Sequence, residues 1–184
     1  MNGVIKQTED KMKKSLSALE DEFNTLRTGR ASPALFDKIR IEYYGNPTPL
    51  NQVATISVPE ARLVVIQPWD KSVIGEIEKA IQKSELSLNP SNDGKIIRIS
   101  IPPLTEERRK EYVKLAKGMA EQSRVAIRNV RREANDDLKK AEKDGELSED
   151  ELKRREDDVQ KITDRYVEQI NAMLEAKEKE ILEI

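Results

Sequence analysis

The chain has no cysteine and no histidine. The first absence excludes disulfides and thiol chemistry and fits a reducing compartment. The second removes the histidine general base, the histidine-containing zinc site and the imidazole pH switch. Aromatic residues are only 4% of the sequence, so RNA recognition on aromatic stacking platforms is not expected. The seven glycines never form GxGxxG or GxxxxGK(S/T), so no nucleotide-binding loop is present. The longest apolar runs are four or five residues, far below a membrane span. The opening residues, MNGVIKQTEDKMKK, carry acids and no continuous apolar run, unlike a secretory signal or a transit peptide. The expectation is a soluble, cytoplasmic protein with no membrane contact, no metal and no cofactor.

What the chain does have is charge, unevenly placed. Charged residues make up 37% and hydrophobic residues 36% of its 184 residues, a balance that suits long helices bathed in solvent. Residues 105–135 hold nine Lys/Arg against five Asp/Glu, a net of +4. Residues 136–184 hold ten against seventeen, a net of −7. On a helical wheel at about 100° per residue, Lys110, Lys114, Lys117, Arg124, Arg128, Arg131 and Arg132 share one side. Tyr112, Leu115, Met119, Ala126, Val130 and Ala134 fall on the opposite side. Charge runs are usually solvated faces of i,i+4 pairs. Here only Glu121 interrupts the cations, and four arginines crowd the last three turns. Such a stripe suits a rigid polyanion, whose condensed counterions are released as each Lys or Arg meets a phosphate.

The rest of the chain divides by texture. In residues 2–27, Ile5, Met12, Leu16, Leu19, Phe23 and Leu26 form a heptad-like seam, predicting a helix. Gly29 and Pro33 end it. From about 34 to 103 the pattern is that of a small α/β module. Strands are expected at 38–43, 53–58, 62–66 and 95–101, with turns at 45–47 and 92–94. The spacing of Val73, Ile74, Ile77, Ala80 and Ile81 predicts a helix that starts near Asp70 or Ser72. Pro102 and Pro103 close the module, and Thr105 is a good N-cap for a helix running to about Asp144. Gly145 breaks that helix. Ser148 and Glu151 match a capping box for a third helix, whose seam is Leu152, Val159, Ile162, Tyr166, Ile170 and Met173.

Narrow seams do not sustain isolated helices, so the three should pack together. The fold class expected is α+β: a long antiparallel three-helix bundle (1–29 and 104–184) with a small inserted β-rich α/β domain (30–103). Two short linkers join them, Thr28, Gly29, Arg30, Ala31, Ser32 and Pro33 on one side and Ile101, Pro102, Pro103 and Leu104 on the other. They read as a hinge or as a rigid corner. Asp136-Asp137 and Asp157-Asp158 have no companion ligand pattern and read as solvated surface. Lys71-Ser72 lacks an activating partner. Nothing argues for an enzyme.

Several segments carry a family pattern in order along the chain: 26–33 (LRTGRASP), 42–45 (EYYG), 47–50 (PTPL), 88–90 (LNP), 102–110 (PPLTEERRK) and 124–132 (RVAIRNVRR). On these the chain resembles the bacterial ribosome recycling factors over essentially its whole length. The resemblance implies an L-shaped, two-domain monomer with an outline like transfer RNA. It implies binding to the post-termination ribosome and, with elongation factor G and GTP, subunit separation and release of messenger RNA. The bundle would lie along large-subunit ribosomal RNA, and the small domain would face the small subunit and elongation factor G. The family's functional arginines fall on Arg27, Arg109, Arg128, Arg131 and Arg132. With the cationic stripe, the candidate RNA-binding set is Arg27, Arg109, Lys110, Lys117, Arg124, Arg128, Arg131 and Arg132. Two other classes compete. A coiled-coil adaptor would leave a helix seam unfilled, and a small hydrolase in the α/β module would need a nucleophile and base that the sequence does not offer.

Overall fold

Along the chain come α1 (Asn2–Asn24), β1 (Arg40–Tyr43), β2 (Asn46–Pro49), β3 (Ala54–Glu60), β4 (Leu63–Pro68), α2 (Ile74–Lys83), β5 (Pro90–Asn92), β6 (Ile97–Ser100), α3 (Glu106–Lys143) and α4 (Glu149–Leu182). This computed structural model describes residues 2–26 and 30–183. The expected RNA contact Arg27 and the expected hinge positions Thr28 and Gly29 lie outside the described residues. The chain divides into two units, Met1–Thr28 with Thr105–Ile184, and Gly29–Leu104.

The first unit is helical. α1 buries Met12, Leu19, Phe23 and Leu26 along the expected seam, with Leu16 half-buried beside them. The helix stops at Asn24, earlier than the seam suggested. Thr25 and Leu26 close tighter turns through their backbone N–H groups on Glu22 and Phe23. The Thr105 hydroxyl accepts from the Arg108 N–H at 3.2 Å and starts α3, with Glu106 and Glu107 in the first turn. At the far end Gly145 takes φ 78°, the left-handed conformation in which glycine carries no steric penalty. The Glu146 N–H then reaches Ala141 O and the Gly145 N–H reaches Glu142 O, the paired closure of a helix C-terminus. Ser148 caps α4 by accepting from the Glu151 N–H at 3.1 Å.

The short Gly145 turn sets α3 and α4 antiparallel. α1 also runs against α3. Val4, Thr8 and Lys11 meet Val130, Ala134 and Asp137 across a shallow crevice, and Lys11 pairs with Glu133 at 3.0 Å. Arg165 of α4 pairs with Glu9 of α1. Two apolar clusters fill the bundle. One holds Met12, Leu19, Phe23, Ile127, Tyr166 and Ile170, and the other Leu138, Leu147 and Val159.

The buried line of α3 differs from the expected one. It runs through Ala116, Ala120, Ser123, Ile127, Ala134, Leu138 and Ala141. Leu115, placed on the apolar side by the wheel, is 50% exposed. The large apolar residues Tyr112, Met119 and Val130 form only one shoulder of the buried line, half-buried. The centre is made of alanines because α3 packs against two helices at once, and small side chains let both approach.

The second unit has its own core. Its four-stranded antiparallel sheet has the order β3-β4-β6-β5. Val64 and Ile66 of β4 and Ile97 and Ile99 of β6 point to one face, where they pack with Ile77 and Ile81 of α2 and with Phe36. β4 is thus buried on one face only, with Val65 half-buried. A separate hairpin pairs β1 with β2. Two elements are additions to the expected set: β2, where a turn was expected at 45–47, and β5. The hairpin turn falls on Tyr44 and Gly45, both with positive φ. Asp70 accepts from the Ser72 N–H and hydroxyl at 2.9 and 2.7 Å and caps the turn leading into α2.

Two predictions follow from this packing. Leu19 is 2% exposed whereas Leu16 is half-buried. Leu19→Ala should cost about 2–5 kcal/mol in urea unfolding, and Leu16→Ala clearly less. The second concerns Asp70, whose carboxyl is held below its ordinary range by the hydrogen bonds from Ser72. Its folded pKa therefore lies below the unfolded one. The stabilisation is present above the unfolded value and is lost as pH falls through the folded value. The Tm gap between the native chain and Asp70→Ala should close as pH drops below about 4. A gap that persists in acid would show that the cap does not depend on the charge.

Candidate nucleic-acid interface

The cations of α3 begin one step around the helix from the alanine line, on the side next to α4. From Lys110 to Arg132 they extend roughly 33 Å at 1.5 Å per residue. Lys114, Lys117 and Arg132 are exposed, and Arg131 is half-buried at the edge of the packed face. Lys110 pairs with Glu106 one turn earlier at 3.4 Å, an exposed helix pair that contributes little to stability.

The centre of the stripe is more ordered. Glu121 accepts from two guanidiniums. Its Oε2 takes Nη1 of Arg124 at 2.9 Å, and its Oε1 takes Nη1 of Arg128 at 3.3 Å. Arg124 also donates from Nε to Oδ1 of Asn171 on α4 at 2.9 Å. Its side chain is 18% exposed, while that of Arg128 is 42% exposed. The hydrogen bond from Arg124, then that from Arg128, holds the Glu121 carboxyl below the ordinary glutamate range. Glu121 is therefore ionised at neutral pH and neutralises one charge of the stripe.

The expected site residues thus fall into distinct settings. Lys117, Arg128, Arg131 and Arg132 share one accessible side, with Lys110 at its start. Arg124 lies on that side but is largely covered and tied to two partners. Arg109 stands apart: it follows the heptad line of Ala116 and Ala120, is half-buried, and its Nε is covered without a hydrogen-bond partner among the described residues.

Asn171 escaped sequence reasoning, because a single polar residue in an acidic helix gives no signal of a partner 47 residues away. Two exposed aromatics escaped it as well, Tyr44 at 83% and Trp69 at 66%, both in the second unit. Trp69 is held by its indole N–H on the Thr55 hydroxyl at 2.9 Å, and the Tyr43 ring meets Tyr44 edge-on.

Ala31, Ser32, Pro33 and Ile101, expected as hinge residues, are fastened within the second unit. The Ala31 N–H donates to Ala61 O at 2.7 Å and the Ile101 N–H to Arg62 O at 2.8 Å, so both strands of the connection are pinned at the β3–β4 turn. Ser32 caps a short 3-10 helix, Pro33–Phe36, with Pro33 at its start. Pro102 and Pro103 are exposed, and Leu104 is half-buried.

Relatives of known kind share this sequence and fold. A ribosome-recycling factor of Treponema denticola is 64% identical over 180 residues, spanning 98% of this chain and 97% of that protein. The Bacillus subtilis ribosome-recycling factor is 58% identical over 181 residues, 98% of each chain. A solution structure of the ribosome recycling factor superposes with TM-score 0.78 at 48% identity, covering 100% of this chain and 97% of that one. The T. thermophilus ribosome recycling factor, placed with E. coli elongation factor G on the E. coli post-termination complex, matches with TM-score 0.67 at 51% identity over 99% and 98% of the two chains. The family model described as ribosome recycling factor matches residues 19–182, and the chain belongs to that family.

Proposed function

We propose that this protein binds the post-termination ribosome and, with elongation factor G and GTP, separates the subunits and releases messenger RNA. The carrying observation is a cationic side on α3, interrupted by Glu121, in a chain of the ribosome recycling factor family. The stripe meets phosphates of large-subunit ribosomal RNA through Lys117, Arg128, Arg131 and Arg132, with Lys110 at one end and Arg124 as support. Arg27 and Arg109 belong to the same set by family resemblance. The factor works as a monomer in the cytoplasm and makes or breaks no covalent bond itself. The adaptor reading is not favoured, since the seams of α1, α3 and α4 fill one another.

The bundle and the inserted small domain are joined by a hinge. The hydrogen bonds that hold Ala31 and Ile101 within the small domain favour the outer parts of the two linkers, 28–30 and 102–104, as its pivot. The partner's GTP cycle supplies the energy, and the hinge lets the small domain move while the bundle stays bound.

Charge decides the first test. Arg131→Glu should weaken ribosome binding and flatten its dependence on salt, because fewer counterions are released. Lys110→Glu should do less, since Lys110 already shares its charge with Glu106. Equal affinity and an equal salt slope for Arg131→Glu would remove the stripe as the RNA-binding face. Motion is tested separately by a disulfide engineered between the two units, which a chain without native cysteine makes clean. The oxidised protein should bind ribosomes yet fail to recycle them until reductant is added. Normal recycling by the locked protein would eliminate the hinge.

A further inference from the structure

We propose that Asn171 of α4, acting through Arg124 and Glu121, is a positioning residue that holds the Arg128 guanidinium ready for a backbone phosphate. This rests on the stripe being the RNA-binding face. The geometry is a continuous relay. Asn171 Oδ1 accepts from Arg124 Nε at 2.9 Å, Arg124 Nη1 donates to Glu121 Oε2 at 2.9 Å, and Glu121 Oε1 accepts from Arg128 Nη1 at 3.3 Å. Both oxygens of one carboxylate are used, one on each arginine.

A carboxylate amid cations that meet a polyanion lowers affinity if it does nothing else. Its two bonds account for its place. Arg128 is 42% exposed and, left alone, would sample many rotamers whose loss on binding opposes association. Glu121 restricts it, but Glu121 is itself an exposed side chain on the same helix. The link to Asn171 is what ties the group to the rest of the bundle, because it crosses from α3 to α4. Arg124 supplies that link and is 18% exposed, which suits a support better than a phosphate contact. At neutral pH the glutamate is ionised in any case, so both its oxygens are free to accept from the two arginines.

The test compares Asn171→Leu, of the same branched shape and equally uncharged, with Arg128→Ala and with the double variant. Each is titrated against purified bacterial ribosomes over a series of salt concentrations. Asn171→Leu should weaken binding by roughly two- to tenfold, the range set by ordering one long side chain on association. Its salt slope and thermal midpoint should match the native chain, and it should have no further effect once Arg128 is alanine. Equal weakening in both backgrounds would make Asn171 merely structural and overturn the proposal. Native affinity for Asn171→Leu alongside weak binding by Arg128→Ala would overturn it while leaving the stripe intact. Native affinity and slope for Arg128→Ala would instead refute Arg128 as a phosphate contact, and the relay with it. Should Asn171→Leu misfold, Asn171→Ala at this exposed position replaces it in the same cycle.

Discussion

The bundle depends on one strip of small residues on α3. Ala116, Ala120 and Ser123 near one end and Ala134 and Ala141 near the other are buried with Ile127 and Leu138 between them. None of the three long helices has an apolar face wide enough to stand alone, so each is stable only while the other two cover it. α3 takes the central role because it meets α1 on one shoulder and α4 on the other. The alanines at 116, 120, 134 and 141 make that possible: a larger residue at one of these positions would push one neighbour away. The side of α3 turned away from the buried line carries the exposed cations Lys110, Lys114, Lys117 and Arg132, which keep their hydration. The acids are concentrated in residues 136–184, so the charge of the bundle is segregated along the sequence. A charge distribution of this kind orients a protein as it approaches a polyanion.

The same strip explains which parts of the structure could be read beforehand. The seam of α1 was legible because Met12, Leu19, Phe23 and Leu26 are large, and size marks a core residue. On α3 the wheel centred on Tyr112, Met119 and Val130 and so placed the core roughly 55° from its true line. Alanine is a common surface residue in helices and carries little hydrophobic signal, although here it defines the contact. β5 was illegible for a related reason. Pro90, Ser91 and Asn92 have the composition of a turn and join the sheet only through the register they share with β6. β2 contains Pro47 and Pro49, which are tolerated because this short hairpin presents edges only. The cationic side needed only helical periodicity and was visible at once. Its internal wiring was not, because the bond from Arg124 to Asn171 depends on how α3 and α4 align.

The second unit builds a core from its own residues. Phe36, Ile66, Ile77, Ile97 and their neighbours close around one another within residues 29–104. Both chain connections are also secured inside it, at Ala61 and Arg62. The hydrogen bonds of Ala31 and Ile101 hold the backbone at those two residues within the second unit. A few residues at element ends suffice for hinge motion, and a short pivot transmits an applied displacement with less slack than a long linker.

That economy matters for a factor whose proposed work consists of binding. A ligand shifts a conformational equilibrium only by the difference between its affinities for the two states. A stripe of cations on a rigid helix has nearly the same complementarity for a given stretch of RNA phosphates whatever happens elsewhere. The stripe can therefore anchor the protein but cannot by itself favour separated subunits over joined ones. On the proposed function, that preference would come from the partner's GTP cycle. The proposed fixing of Arg128 through Glu121 and Asn171 would serve such an anchor, because a cation already in position yields less when the rest of the molecule is pushed. On the proposed mechanism, two short connections would turn anchoring at one unit and displacement at the other into mechanical load.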